Sequence, residues 1–151
     1  MVEDIVILDG ARTAIGTFGG ALAGAPPTVT GAHAAKHAMA RAGVEPARIG
    51  HVVFGHVINT EPKDMYLARV TAVNAGVPVE TPALTVNRLC GSGAQAIVSA
   101  AQHLMLGDAE FALAGGAESM SRSPHSWQTA RAGQKMGDAK MLDMMVGALS
   151  D

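Results

Sequence analysis

Four short apolar runs alternate with helix-patterned segments along this chain, and no other feature narrows its possible folds as far. Asp4 to Asp9 (DIVILD), His51 to Val57 (HVVFGHV), Ala83 to Asn87 (ALTVN) and Glu110 to Ala114 (EFALA) each read as a strand. Three helical stretches lie between them. Thr28 or Thr30 can cap a helix running to about Ala42 and stopped by Gly43. Asp64 can cap one from Met65 to Ala75, ended by Gly76 and Pro78. Ser92 to Leu106 makes a third, closed by Gly107. The order β-α-β-α-β-α-β calls for an α/β fold: a mainly parallel sheet, right-handed crossovers and helices on both faces. Covered faces also account for strands that are apolar without strict alternation.

After Gly116 the character changes. Glu118 to Gln134 is rich in polar residues, with Pro124, and reads as an irregular excursion. Lys135 to Leu149 carries Met136, Met141, Leu142, Met144, Met145, Val146 and Leu149, a spacing that predicts a helix with an apolar face. Simple packing and the lining of an adaptable apolar pocket are both open readings of these methionines.

Composition sets the limits. The chain has 151 residues, enough for a buried core, and 28 of them are Ala and 18 Gly. Small residues in the Ser92 to Leu106 helix lead us to expect deep burial of that element. A net charge of −2 gives no global attraction to nucleic acid or an anionic membrane. No apolar run approaches the roughly 20 residues of a membrane span. The acidic start, Met1-Val2-Glu3-Asp4, is unlike a secretory leader, and a single cysteine makes no internal disulfide. The expectation is a cytoplasmic chain with neither a nucleic-acid nor a membrane partner.

The most informative stretch is Asn87-Arg88-Leu89-Cys90-Gly91-Ser92-Gly93, between a predicted strand and a predicted helix. A cysteine at a helix N-terminus meets unpaired N–H groups and the positive end of the helix dipole, both of which favour the nucleophilic thiolate. Gly91 and Gly93 would permit a sharp turn and close substrate approach, and the Cys90 N–H could donate to an oxyanion. A structural, buried cysteine is the alternative on local sequence alone.

Other groups carry weaker signals. His33 and His37 have ligand-compatible spacing but no third ligand, so no metal is assigned. His103 lies too far along the cysteine helix to serve Cys90. Gly16 to Gly24 lacks the spacing of a phosphate loop and reads as a turn-rich loop near the site. Arg122, Arg131, Lys135 and Lys140 are either a contact for a phosphate or a solvated loop.

Three blocks together resemble the thiolases, of the acetyl-CoA acetyltransferase or β-ketothiolase type. Arg12 to Gly20 (RTAIGTFGG) is similar to the family's opening RTxxGxFGG, Asn87 to Gly93 (NRLCGSG) to its nucleophile motif, and Gly115 to Ser121 (GGAESMS) to its GGxExMS block. The resemblance implies that Cys90 accepts the acyl group. It also implies reversible acyl transfer between 3-ketoacyl-CoA or acetyl-CoA and CoA, with CoA as a substrate and no metal or redox cofactor. Residues 1–118 would be the first half-domain and 119–151 the start of an inserted loop domain. The family's activating His, in a Gly-His-Pro block, and its second Cys, in a Cys-x-Gly-Gly-Gly block, belong to a second half. Neither block occurs here, so this chain alone is expected to be inactive, and no substitute base is recruited from its histidines. In the full-length form the resemblance implies a homodimer or homotetramer, with Ala83 to Asn87 as the candidate dimer strand. A fragment of a ketoacyl-synthase-like condensing enzyme and a non-catalytic assembly module are the alternatives.

Overall fold

Three strands, β1 (Ile49–Gly55), β2 (Ala83–Val86) and β3 (Phe111–Gly116), pair in parallel in the order β2-β1-β3. The computed structural model describes residues 4–150; Met1, Val2, Glu3 and Asp151 lie outside that range. Crossovers between parallel strands carry α2 (Leu67–Ala75) and α3 (Ser92–Met105), and α1 (Pro27–Ala42) precedes the sheet. The sheet alternates its side chains between two layers. Val52 and Phe54 of β1 face Ala35 and Met39 of α1 and Leu67, Ala68 and Ala72 of α2. Val53, between them in sequence, faces Ala96 and Ala100 of α3. This is the α/β arrangement the alternation predicts, with helices on both faces of a parallel sheet.

The element boundaries reflect local chemistry. Pro27 starts α1, where its missing N–H is not needed, and no threonine side chain caps the helix. Gly43 ends it with φ 65°, a left-handed value that glycine adopts without strain. Asp64 does not cap α2. It lies in a 3₁₀ turn, Pro62–Tyr66, and its carboxylate turns back to accept from the Thr60 N–H, the Glu61 N–H and the Thr60 hydroxyl.

Three expectations are corrected. Asp4 to Asp9 is not a strand; Val6, Ile7 and Leu8 are exposed, and no strand among the described residues pairs with them. A β-type sequence gains its ladder only beside another edge. The cysteine helix is not deeply buried: Ser92, Ala96 and Ala100 form one buried stripe, while Ile97, Val98 and Met105 face outward. Lys135 to Leu149 is not one helix either. Gly137, two residues into that span, takes a left-handed φ of 82°, which interrupts a helix there. Instead, β4 (His125–Ser126) pairs with β5 (Leu142–Asp143) in a small antiparallel ribbon, and α4 (Met144–Leu149) starts directly after β5, capped by the Asp143 carboxylate. No helix among the described residues is long and apolar enough to cross a membrane.

α3 sits on the sheet at close range. A Cβ built on Gly55 would lie 2.7 Å from the Ser92 carbonyl carbon and 2.8 Å from its Cβ. Backbone cannot retreat like the end of a flexible side chain, so Gly55→Ala is expected to destabilise the fold by about 1–3 kcal/mol in urea titration. Gly93→Ala, in space open to 4 Å, is expected to be neutral or stabilising by about 0.5–1 kcal/mol.

At the other end of the sheet, His51 stacks on His103 with ring centroids 3.7 Å apart, and His103 Nδ1 lies 2.8 Å from the Asp108 carboxylate. Burial first, and His103 second, push the His51 imidazole below its ordinary range, with Asp108 acting in the opposite sense. The unfolded chain therefore binds this proton more readily. The contribution of His51 to stability is full above about pH 6.5 and is lost as pH falls below it. Melting temperature should decline between about pH 7.5 and about pH 5.5, and His51→Phe should flatten that decline. An unchanged slope in the variant would remove His51 as its origin.

Candidate active site

A parallel sheet brings the C-terminal ends of its strands to one edge. Gly55, Val86 and Gly116 end β1, β2 and β3 there. Gly116 obeys the same close-packing rule as Gly55, since a Cβ on it would come within 3.2 Å of the Gly55 carbonyl oxygen.

The chain leaves β2 and turns sharply into α3 through residues 87–91. The corner is not made by the glycines that the sequence singled out. Gly91 has φ −86°, and Leu89 is the residue in the left-handed region, with φ 48°. A branched side chain there costs on the order of 1–3 kcal/mol unless neighbours enforce it. They do so here. The Leu89 N–H donates to Asn87 Oδ1 at 3.0 Å and the Arg88 N–H donates to Ser92 Oγ at 2.8 Å. The Ser92 hydroxyl in turn donates to the Leu89 carbonyl at 2.7 Å. Arg88 reaches Gln95 one turn into the helix. Gly91 is needed for another reason: a Cβ would press on the Arg88 carbonyl oxygen at 3.3 Å. Gly93 leaves open space beside the thiol.

Cys90 is the product of this turn. It is a free, exposed thiol one residue before the α3 N-cap. The reading of a buried structural cysteine therefore does not hold. A cavity of about 630 Å³ opens at it, lined by the ends of β1 and β3, by Cys90 with Ser92 and Gly93, and by Ala148 to Ser150 at the end of α4. Met120 lines it; Met136 to Met145 do not.

Two lining residues escaped the sequence reading in their roles. Glu118, inside the GGAESMS block, accepts the Val57 N–H at 2.9 Å and the Ile58 N–H at 3.1 Å. His56 is buried, with its Nδ1–H donating to the Ala117 carbonyl at 2.8 Å and its Nε2 at 3.9 Å from Asp64. The block that contains Glu118 was a visible signal; nothing marked His56.

The remaining candidates fall elsewhere. His103 is engaged with His51 and Asp108. His33 and His37 are on α1, their ring centroids 4.5 Å apart. Arg122 is spent on internal contacts to Glu61, Thr60 and the Gly24 carbonyl, which strap the Gly-rich loop to the segment after β3. Ser121 accepts the Gly19 N–H in the same contact region. Arg131, Lys135 and Lys140 are exposed.

The family model described as "Thiolase, N-terminal domain" matches residues 5–151. Beta-ketothiolase BktB of Cupriavidus necator is 60% identical over 151 residues, covering 100% of this chain and 38% of that protein. An acetyl-CoA acetyltransferase of the same organism is 46% identical, covering 96% of this chain and 37% of its own length. Among solved structures, Bacillus anthracis acetyl-CoA acetyltransferase superposes with a TM-score of 0.92 at 38% identity, covering 97% of this chain and 37% of that one. Human mitochondrial 3-ketoacyl-CoA thiolase in complex with CoA gives 0.92 at 40% identity, covering 95% and 37%. The chain thus spans a little over a third of the length of these relatives. With a family model matched from residue 5 onward and the same fold in both structures, this chain belongs to the thiolase family.

Proposed function

We propose that this chain carries the nucleophile of a thiolase-type acyltransferase, with Cys90 as the acyl acceptor and acyl-CoA and CoA as substrates. The observation that carries the reading is the exposed Cys90 thiol at the mouth of a cavity, one residue before a helix N-cap. In thiolysis the Cys90 thiolate attacks the keto carbon of a 3-ketoacyl-CoA. The bond between that carbon and the adjacent methylene breaks, the methylene takes a proton, and acetyl-CoA leaves. The thiol of a second CoA then attacks the acyl-thioester and releases Cys90. Two half-reactions through a covalent intermediate give ping-pong kinetics. No metal or redox cofactor enters this scheme.

The same reading makes the chain inactive by itself. His56, the histidine lining the cavity, has Nδ1 committed to a carbonyl and Nε2 turned toward Asp64, so it is not assigned as the base. A missing general base typically lowers rate by roughly 10²–10⁴-fold. Purified 1–151 should thiolyse acetoacetyl-CoA at least about 10²-fold more slowly than a complete thiolase; turnover within about tenfold of a complete thiolase would overturn this point.

Assembly is inferred from the same resemblance: a homodimer or homotetramer in the full-length form, in the cytoplasm, with Ala83 to Asn87 as the dimer strand. β2 lies at the edge of the sheet with Leu84 exposed, which supports that assignment.

Cys90 itself is tested by alkylation. Iodoacetamide should modify it in the folded chain near neutral pH, and Cys90→Ser should abolish labelling. A slow, unactivated thiol in the folded chain would favour the non-catalytic assembly reading.

A further inference from the structure

Glu118 is the only carboxylate lining the Cys90 cavity among the described residues, yet its oxygens are already engaged by the protein. One accepts the Val57 N–H at 2.9 Å, the other the Ile58 N–H at 3.1 Å, and the latter also lies 3.4 Å from His56 Nδ1. These bonds begin where the sheet stops. The β1–β3 ladder ends at Gly55 and Gly116, with one further bond from the Ala117 N–H to the Gly55 carbonyl. Beyond it, side chains hold the two strand extensions together: Glu118 reaching back to residues 57 and 58, and His56 reaching across to the Ala117 carbonyl. A carboxylate accepting backbone N–H groups makes charge-assisted bonds, about twice as strong as neutral ones. The His56 side chain is 1% exposed, so its bond to Ala117 has no water to compete with it.

The geometry points to Glu118 as a positioning residue for Cys90 chemistry, with His56 as its support. Together they fix the cavity wall at Val57, Ile58 and Ala117, against which the acyl chain delivered to Cys90 lies. Neither residue touches the reacting carbon. This inference rests on reading the Cys90 cavity as the acyl site, and it adds the device that keeps the cavity in shape.

The test compares two alkylating probes on Cys90 in the chain as it stands: iodoacetamide and its N-hexyl derivative. The rate ratio, hexyl over parent, with each rate divided by that of free cysteine, reports the wall when it is measured where every variant is fully folded, because an unfolded chain reacts with both probes without preference. The wild-type chain should favour the hexyl probe. Glu118→Ala and His56→Leu should each lower the ratio by roughly tenfold, the scale expected when a bound group is displaced by a fraction of an ångström. Glu118→Gln, which keeps one acceptor oxygen, should fall between. His56→Asn should stay within about twofold of wild type, because its amide nitrogen can take the place of Nδ1 toward the carbonyl. Val44→Ala, a core truncation away from the cavity, should lower the melting temperature and leave the ratio alone.

A wild-type ratio of one overturns the proposal, as does an unchanged ratio in folded Glu118→Ala and His56→Leu, or an equal fall in Val44→Ala. Should Glu118→Ala not fold, Glu118→Gln and His56→Leu decide. The readout needs only the Cys90 thiol, so it can fail while acyl transfer by Cys90 stands, and can succeed where acyl transfer fails.

Discussion

Ser92 occupies the space that a side chain on Gly55 would need, and the site is arranged around that contact. The first turn of α3 lies against the backbone of the central strand, with a built Cβ at 2.7 Å from it. Close approach fixes the height of the helix start above the sheet, and with it the height of Cys90. The same serine side chain bonds the Arg88 N–H and the Leu89 carbonyl. One small residue therefore anchors the helix to the sheet and closes the turn that presents the thiol. Leu89 can hold φ 48° because the turn on both sides of it is tied.

The other side of the cavity is built by a different device. Beyond the last backbone pair of β1 and β3 the ladder does not continue, and one extension leads to Val57 and Ile58 while the other enters the GGAESMS block. Glu118 and His56 supply side-chain bonds in place of backbone ones. Hydroxyl-braced turn and carboxylate-braced wall meet at Cys90, at the edge where parallel strands end. That edge is where an α/β sheet offers loops free to carry chemistry.

Much of this could be read from the residues alone, and the exceptions share a cause. The buried β1 and the α3 boundaries are set by periodicity and glycine stops, which are local. The position of Cys90 before a helix start is local too. Asp4 to Asp9 failed because a strand is a property of a pair of segments, and its apolar sequence carries no information about whether a partner lies beside it. The burial of α3 failed for a similar reason: small residues permit close packing on every face, but only the Ser92, Ala96, Ala100 stripe meets the sheet. The helix predicted over 135–149 is confined to Met144–Leu149, because apolar spacing does not register the left-handed backbone at Gly137 or the pairing of Leu142–Asp143 with β4. His56 stayed hidden because its role depends on residue 117, which only tertiary structure brings to it. Leu89 stayed hidden because nothing in its chemistry announces a left-handed backbone.

Cys90 is the chain's single cysteine and is exposed. Oxidation therefore has no internal partner to find, and any disulfide between copies of this chain must join two molecules through their cavities. The same fact makes a thiol titration a census of the site: each equivalent of reagent consumed by the folded protein marks one open cavity, and each equivalent lost to air marks one closed.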